Sequence, residues 1–240
     1  MSKRKQYIKG FLNGLPIGVG YLSVSFAFGI FAIANGLTSM EAVLISMSNL
    51  TSAGQLAAVP IIAGGGAFVE IIISQLIINL RYALMSISLS QKLHKSVKLF
   101  ERFLIAFGNT DEIFAVAISN PSDVTSFYMY GLITTPFLGW SLGTLLGAVA
   151  GNILPKIITS ALGVAIYGMF VAIVVPVIKR EKNTALCVAS AIVLSCAFKY
   201  IKPLSNIPSG FVVIICAVVA SMVFALIAPI KTETEVQYNA

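Results

Sequence analysis

Residues 10–40 read GFLNGLPIGVGYLSVSFAFGIFAIANGLTSM and contain no Asp, Glu, Lys, Arg or His. As a helix rising 1.5 Å per residue, such a run spans about 45 Å, more than the ~30 Å of a hydrocarbon core. It is not alone. Residues 42–69, 124–155, 157–178 and 203–230 are also free of charge and long enough to cross. Over the whole chain only 10% of residues are charged and 58% are hydrophobic, against about 25% charged in a soluble domain. The fold class this implies is all-α: a polytopic helical membrane protein. The formal charge of +7 would otherwise suggest nucleic acid, but the basic residues sit between apolar runs, so no nucleic-acid partner is expected.

The apolar runs divide into eight segments, at residues 11–35, 41–63, 67–90, 103–120, 126–151, 157–178, 184–200 and 209–230. They form one transport-sized unit over 11–230, with a basic N-terminus at 1–10 and a short tail at 231–240. Lys3-Arg4-Lys5 before an apolar run has the look of a secretory signal; the run is too long and lacks a small-residue cleavage site, so a retained first span is expected.

Three basic clusters punctuate the segments: Lys3, Arg4, Lys5 and Lys9; Lys92, Lys95, Lys98 and Arg102; and Lys179, Arg180 and Lys182. The positive-inside rule places all three in the cytoplasm, with the N-terminus. Loops on one side must be separated by an even number of crossings, yet three segments lie between successive clusters. One segment of each trio should therefore be broken or re-entrant, leaving about six to eight membrane segments in all. The second, interrupted by Asn49-Leu-Thr-Ser-Ala-Gly-Gln55 and Pro60, and the fourth, interrupted by Gly108-Asn-Thr-Asp-Glu112, are the candidates. Non-helical backbone at membrane depth is tolerated only inside protein or beside a wet cavity, so such breaks point to a site near the midplane. If the rule is only a bias here, all eight segments cross.

Few ionisable groups lie in the apolar zone: Arg81, Asp111 and Glu112, with Glu70 near an end. A charge at mid-membrane costs ~2.5–3.5 kcal/mol on insertion scales, so each needs a partner or a task. The Arg81 guanidinium can fork onto a carboxylate, either a substrate's or that of Asp111 or Glu112. An ion pair that only fixes packing is one reading. The other notes two acids against one Arg, about 100° apart on a helix, so that one pairs with Arg81 while the second faces a cavity and meets an ammonium or a proton. Asn49, Thr51, Ser52, Gln55, Asn79, Asn109 and Thr110 add neutral donors and acceptors suited to a zwitterion; Ser and Thr also bond back to their own turn, whereas Gln55 requires a separate partner.

No catalytic residue, metal or cofactor is expected. One His, His94, lies in a charged connection, and no GxSxG or HExxH occurs, which leaves a membrane-embedded enzyme without a base or metal cluster. Cys187, Cys196 and Cys216 read as small packing residues. Gly139, Gly143, Gly147 and Gly151 form one stripe and Gly10, Gly14 and Gly18 a shorter one, each allowing close approach by another helix, internal or from a second subunit. No internal repeat is evident.

Gly14-Leu-Pro-Ile-Gly-Val-Gly-Tyr21 with Phe28-Gly29, Ser52-Ala-Gly-Gln-Leu-Ala-Ala58, Asn79-Leu-Arg-Tyr82 and Thr110-Asp-Glu-Ile-Phe-Ala115, in that order and spacing, resemble the successive motifs of the AzlC family, the large subunits of bacterial branched-chain amino acid exporters. The resemblance runs from about residue 10 to about 230. It implies a permease of the bacterial cytoplasmic membrane that exports leucine, isoleucine, valine or analogues, driven by the proton motive force, with a small AzlD-like membrane subunit as partner. Gln55, Asn79, Arg81, Asp111 and Glu112 are the positions it marks as substrate-binding, with Asp111 or Glu112 as the proton-coupling acid and Pro16 and Gly54 as backbone elements. A passive channel or pore-forming subunit for a small polar solute is the competing function, since Gly-rich broken helices also build pores.

Overall fold

The computed structural model describes residues 2–155, 181–204 and 206–227, together with 157, 158, 168, 171, 174–176, 178 and 179. The expected segment at 157–178 lies largely outside these residues, as do Arg180 and the tail. The protein is all-α. Among the described residues the bounded helices are α1 (Lys3–Ala34), α2 (Ser39–Ser48), α3 (Ser52–Ala63), α4 (Phe68–Ile78), α5 (Leu80–Lys92), α6 (Leu99–Phe107), α7 (Asp111–Ile118), α8 (Ser126–Ile153), α9 (Lys182–Tyr200) and α10 (Ser209–Ile227). Among the described residues α1, α8 and α9 are each long and apolar enough to cross a membrane, and α4 with α5 makes a fourth span bent by 45°.

The glycine stripes meet each other. At Gly10, Gly18 and Gly29 an added Cβ would run into the backbone of Tyr128, Thr135 and Thr144, and at Gly139, Gly143 and Gly147 into that of Gly18, Leu22 and Phe26. Residue numbers rise together along both helices, so α1 and α8 are parallel and the contact is internal. Small residues let the two backbones touch, which in lipid replaces the hydrophobic drive available in water. The stripe on α8 begins earlier than the sequence suggested: Gly131 faces the Tyr7 backbone, whereas Gly151 meets only the Ile30 backbone and the Ile33 side chain at 3.2–3.4 Å.

Both expected interruptions occur. The second segment splits into α2 and α3 across Asn49–Thr51, where Asn49 (φ −143°, ψ 103°) and Thr51 (φ −120°, ψ 109°) are extended. The fourth splits into α6 and α7 across Gly108–Thr110. Short polar side chains there offer the backbone an alternative to the helical ladder. Two details differ from expectation. Pro60 lies within α3 without ending it, and Gln55 is helical rather than part of the break. The third segment, expected as a plain helix, is bent at Asn79, which ends α4 and starts α5.

Contacts along α8 establish where each hairpin enters. Ser39 at the head of α2 accepts a hydrogen bond from Asn152 (2.9 Å), Ser46 meets Thr144 (2.7 Å), and Gln55 of α3 accepts from Trp140 Nε1 (3.1 Å). Val59, one turn further along α3, is back in a core cluster with Ala148, Phe28 and Phe31. The α2–α3 hairpin therefore dips in from the Asn152 end and returns. The α6–α7 hairpin does the opposite. His94 N donates to Val124 O (2.9 Å) and Val124 N to Lys92 O (3.0 Å), pinning both ends of the hairpin at one face. Thr125 bonds to Gln6 (2.8 Å) and Lys3 Nζ lies 5.1 Å from the Phe127 ring centre, so this is the face of the N-terminus. The first two basic clusters thus share one face, with α1 and the bent α4–α5 pair as the two crossings between them, as the parity argument requires.

Candidate functional site

The two hairpin tips meet between α1, α5 and α8 and enclose a cavity of about 730 Å³. Its walls are laid down by the breaks. Ser52 and Ala53 open α3, Asp111 and Glu112 open α7, Arg81 and Tyr82 open α5, and Ile17, Tyr21, Val24 and Trp140 close the sides. Because both half-helices begin here, their unpaired N–H groups and positive dipole ends face a common space. The two tips are capped differently. Thr110 Oγ1 accepts from Ile113 N, capping α7. Thr51 makes no side-chain cap on α3 and instead donates to Asn49 Oδ1 (2.8 Å), leaving the first turn of α3 without a side-chain cap.

Arg81 Nη2 lies 2.9 Å from Asp111 Oδ2, with about half of each side chain exposed to the cavity. Arg81 also donates to the Tyr82 hydroxyl (3.0 Å) and its guanidinium carbon sits 4.8 Å from the Tyr82 ring centre. The neighbouring acid is held separately: the Tyr21 hydroxyl donates to Glu112 Oε2 and is hydrogen-bonded to Thr110 Oγ1 (2.7 Å). Tyr21 in turn packs edge-on to Trp140, ring centres 5.1 Å apart. The ambiguity between the two acids resolves in geometry: Asp111 pairs with Arg81 and Glu112 faces the cavity from Tyr21. One guanidinium, two carboxylates and two helix N-termini thus line a space otherwise walled by Ile17, Val24, Leu50 and Trp140.

Gln55 and Asn79 lie elsewhere. Gln55 is fully buried, donates to Ser46 Oγ (2.9 Å) and accepts from Trp140, so its amide is satisfied within the protein and joins α3 to α2 and α8. Asn79 donates to Gln75 Oε1 (3.1 Å), which also accepts from Asn49 (3.1 Å), while Gln75 donates to Gly54 O (2.8 Å). This chain of amides ties the α2–α3 tip to the bend between α4 and α5. A Cβ on Gly54 would meet the side chains of Thr51, Gln75 and Asn79.

Tyr21 and Trp140 carry no charge and sit at no break in the sequence. Their signal was depth: Tyr and Trp gather at membrane interfaces, yet the chain's one Trp sits in the middle of α8 and Tyr21 well inside α1. A second, separate cavity of about 400 Å³ lies nearer the Lys3 face, between α1 and α7, lined by Val116, Asn13, Ser119 and Lys9.

A family model described as AzlC protein matches residues 16–154, a range that includes both hairpins and α8. The chain is 30% identical over 197 residues to an uncharacterized membrane protein of Archaeoglobus fulgidus, covering 81% of this chain and 86% of that one. It is 28% identical over 194 residues to the inner membrane protein YgaZ of Escherichia coli (78% of each). With the branched-chain amino acid transport protein AzlC of Bacillus subtilis it shares 23% identity over 190 residues, 76% of this chain and 74% of that one. No solved structure matches.

Proposed function

The chain belongs to the AzlC family, and on that premise we propose that it is a secondary transporter exporting branched-chain amino acids across the cytoplasmic membrane in exchange for protons, as the large subunit beside a small AzlD-like partner. The observation that carries this reading is the Arg81–Asp111 ion pair beside a separately held Glu112 in one half-apolar cavity.

A zwitterion fits that charge pattern. Its carboxylate meets Arg81, whose fork has donors beyond the one used by Asp111, and the uncapped N-terminus of α3. Its ammonium meets Glu112. The aliphatic tail takes the surface of Ile17, Val24, Leu50 and Trp140. One methylene in such a pocket is worth only ~1–3 kcal/mol, so leucine, isoleucine and valine should all be accepted.

Glu112 also supplies the exchange logic. Its carboxylate holds either the substrate ammonium or a proton, so loading one expels the other, which is the requirement for antiport. Asp111 stays on Arg81 and orients it. On this reading the basic clusters face the cytoplasm, and the cavity beside Lys9 and Asn13 lies on the intracellular side of the substrate cavity.

Proteoliposomes loaded with labelled leucine or valine test this. Efflux should saturate, accelerate when the outside is made acidic, and largely vanish in Arg81→Ala and Asp111→Asn. Flux that neither saturates nor responds to the gradient would instead identify a channel. A small hydrophobic protein retained in mild detergent would support the two-subunit assembly, and its absence would count against it.

A further inference from the structure

The two hairpins sort their helix ends. Their N-termini open on the larger cavity, whereas their other ends, Ser48 of α2 and Ala106 and Phe107 of α6, line a separate cavity of about 180 Å³ together with Asn49, Asn79 and Asn109. A helix C-terminus leaves its last carbonyls without intrahelical partners and carries the negative end of the dipole. Two such ends converging from opposite faces favour positive charge.

A second observation is independent of the dipoles. Asn79 Oδ1 and Asn109 Oδ1 are buried and, among the described residues, make no hydrogen bond. Asn109 as a whole is 3% exposed. At Asn79 turning the amide over does not relieve this, whereas at Asn109 the Ser86 hydroxyl can face either amide atom. Asn79 Nδ2 donates to Gln75 Oε1 (3.1 Å) and Asn109 Nδ2 to Ser86 Oγ (3.4 Å). A flip at Asn79 would set two acceptors against each other. A buried carbonyl without a partner is costly, so the Asn79 oxygen, with the Asn109 amide beside it at the same cavity, calls for a donor or a cation.

We propose that this cavity, between the hairpin tips and lined by Asn79 and Asn109, is a binding site for a monovalent cation of the sodium class. The ligand set consists of neutral oxygens: two side-chain carbonyls, the carbonyl ends of α2 and α6, and the Ser48 and Thr51 hydroxyls. Hard cations take oxygen ligands, and the lining residues include no carboxylate to offset the dehydration of a divalent ion. Unwound backbone with converging helix C-termini is a recurrent way to hold such an ion at mid-membrane. The site is distinct from the amino-acid cavity and stands on its own contacts. The two are nonetheless adjacent, because Tyr82 lines both and is bonded by Arg81. An ion here would hold the two tips together and be felt at Arg81.

The test is equilibrium binding of ²²Na⁺ to the purified full chain in choline chloride, without amino acid, so that its outcome is separate from that of the transport assay. Saturable binding displaced by excess NaCl or LiCl but not by choline is expected. Asn109→Ala and Asn79→Ala should each weaken it tenfold or more. Asn109→Asp, which keeps the oxygen and adds charge, should bind at least as tightly and shows that the position tolerates change. No saturable ²²Na⁺ binding to the unaltered chain, or binding that survives the Asn79→Ala/Asn109→Ala double change, would overturn the proposal.

Discussion

The α2–α3 and α6–α7 hairpins are built alike and used differently. Each is a short helix, a break containing Asn and Thr, and a second short helix whose N-cap is Thr51 or Thr110. They enter from opposite faces and meet at mid-depth. At the first tip every polar side chain is neutral and most are consumed internally, through Asn49, Thr51, Gln75 and Asn79 on one side and Ser46, Gln55, Thr144 and Trp140 on the other. At the second tip Asp111 and Glu112 line a cavity, Asp111 paired with Arg81 and Glu112 accepting from Tyr21. Equivalent backbone breaks therefore differ in chemistry: the first tip is neutral and mostly bonded within the protein, whereas the second carries the acids on which the proposed transport rests.

The comparison breaks outright if the hairpins enter from the same face. With the three native cysteines replaced, Ser96→Cys and Ser122→Cys should react with an impermeant thiol reagent from one side of the membrane, and Ala67→Cys, beyond the α3 turn, from the other. Labelling of Ser96→Cys and Ser122→Cys from opposite sides would mean that the fourth segment crosses and that the pairing of Lys92 and His94 with Val124 does not hold.

If the roles divide as proposed, the two tips fail differently. Arg81→Ala removes the proposed anchor of the substrate carboxylate, a contact of about 2–5 kcal/mol when desolvated in the loaded site, whereas the resting Arg81–Asp111 pair is half exposed and adds little to folding stability. Transport should drop at least thirty-fold while the melting temperature moves little. Glu112→Gln should cost about tenfold in exchange driven by a pH gradient and abolish its pH dependence, because an amide neither gains nor gives up a proton; flux still rising with an imposed gradient would move the coupling role to Asp111. Gln55→Leu reverses the pattern. It strands the buried Trp140 N–H and takes one donor from Ser46, for about 1–3 kcal/mol of stability, and rates per folded molecule should stay within a few-fold. A normal melting curve with lost transport would return Gln55 to the binding site.

Much of this was legible in the sequence. The parity of the basic clusters asks for one non-crossing segment in each trio, and Asn49-Leu-Thr51 and Gly108-Asn-Thr110, standing out against apolar surroundings, locate the two. Arg81, Asp111 and Glu112 were identifiable because charge at membrane depth is expensive enough to need a reason. The bend at Asn79 was not visible: Asn79 is flanked by Ile77, Ile78 and Leu80, with no Gly or Pro nearby, and its cause is Gln75 reaching to Gly54 and Asn49 on another segment. The fate of Gln55 was hidden for a similar reason. A buried Gln needs a partner, but composition does not say that the partner is a Trp 85 positions away.

Tyr21→Phe is the mildest and most discriminating change. The phenol hydroxyl bonds to the second tip, through Thr110 and Glu112, and its ring packs on Trp140, which is bonded to Gln55 beside the first. Removing the hydroxyl keeps the ring contact and deletes one hydrogen bond to a carboxylate. Such bonds are worth about 1.5–3 kcal/mol when buried, and less here because Glu112 is exposed to the cavity. A few-fold rise in the half-saturating substrate concentration is expected, with an unchanged melting temperature, since Glu112 loses its fixed position but not its charge. If the same change instead lowered stability as Gln55→Leu does, Tyr21 would belong with the first tip, and the line between the two tips would have to be redrawn through Trp140.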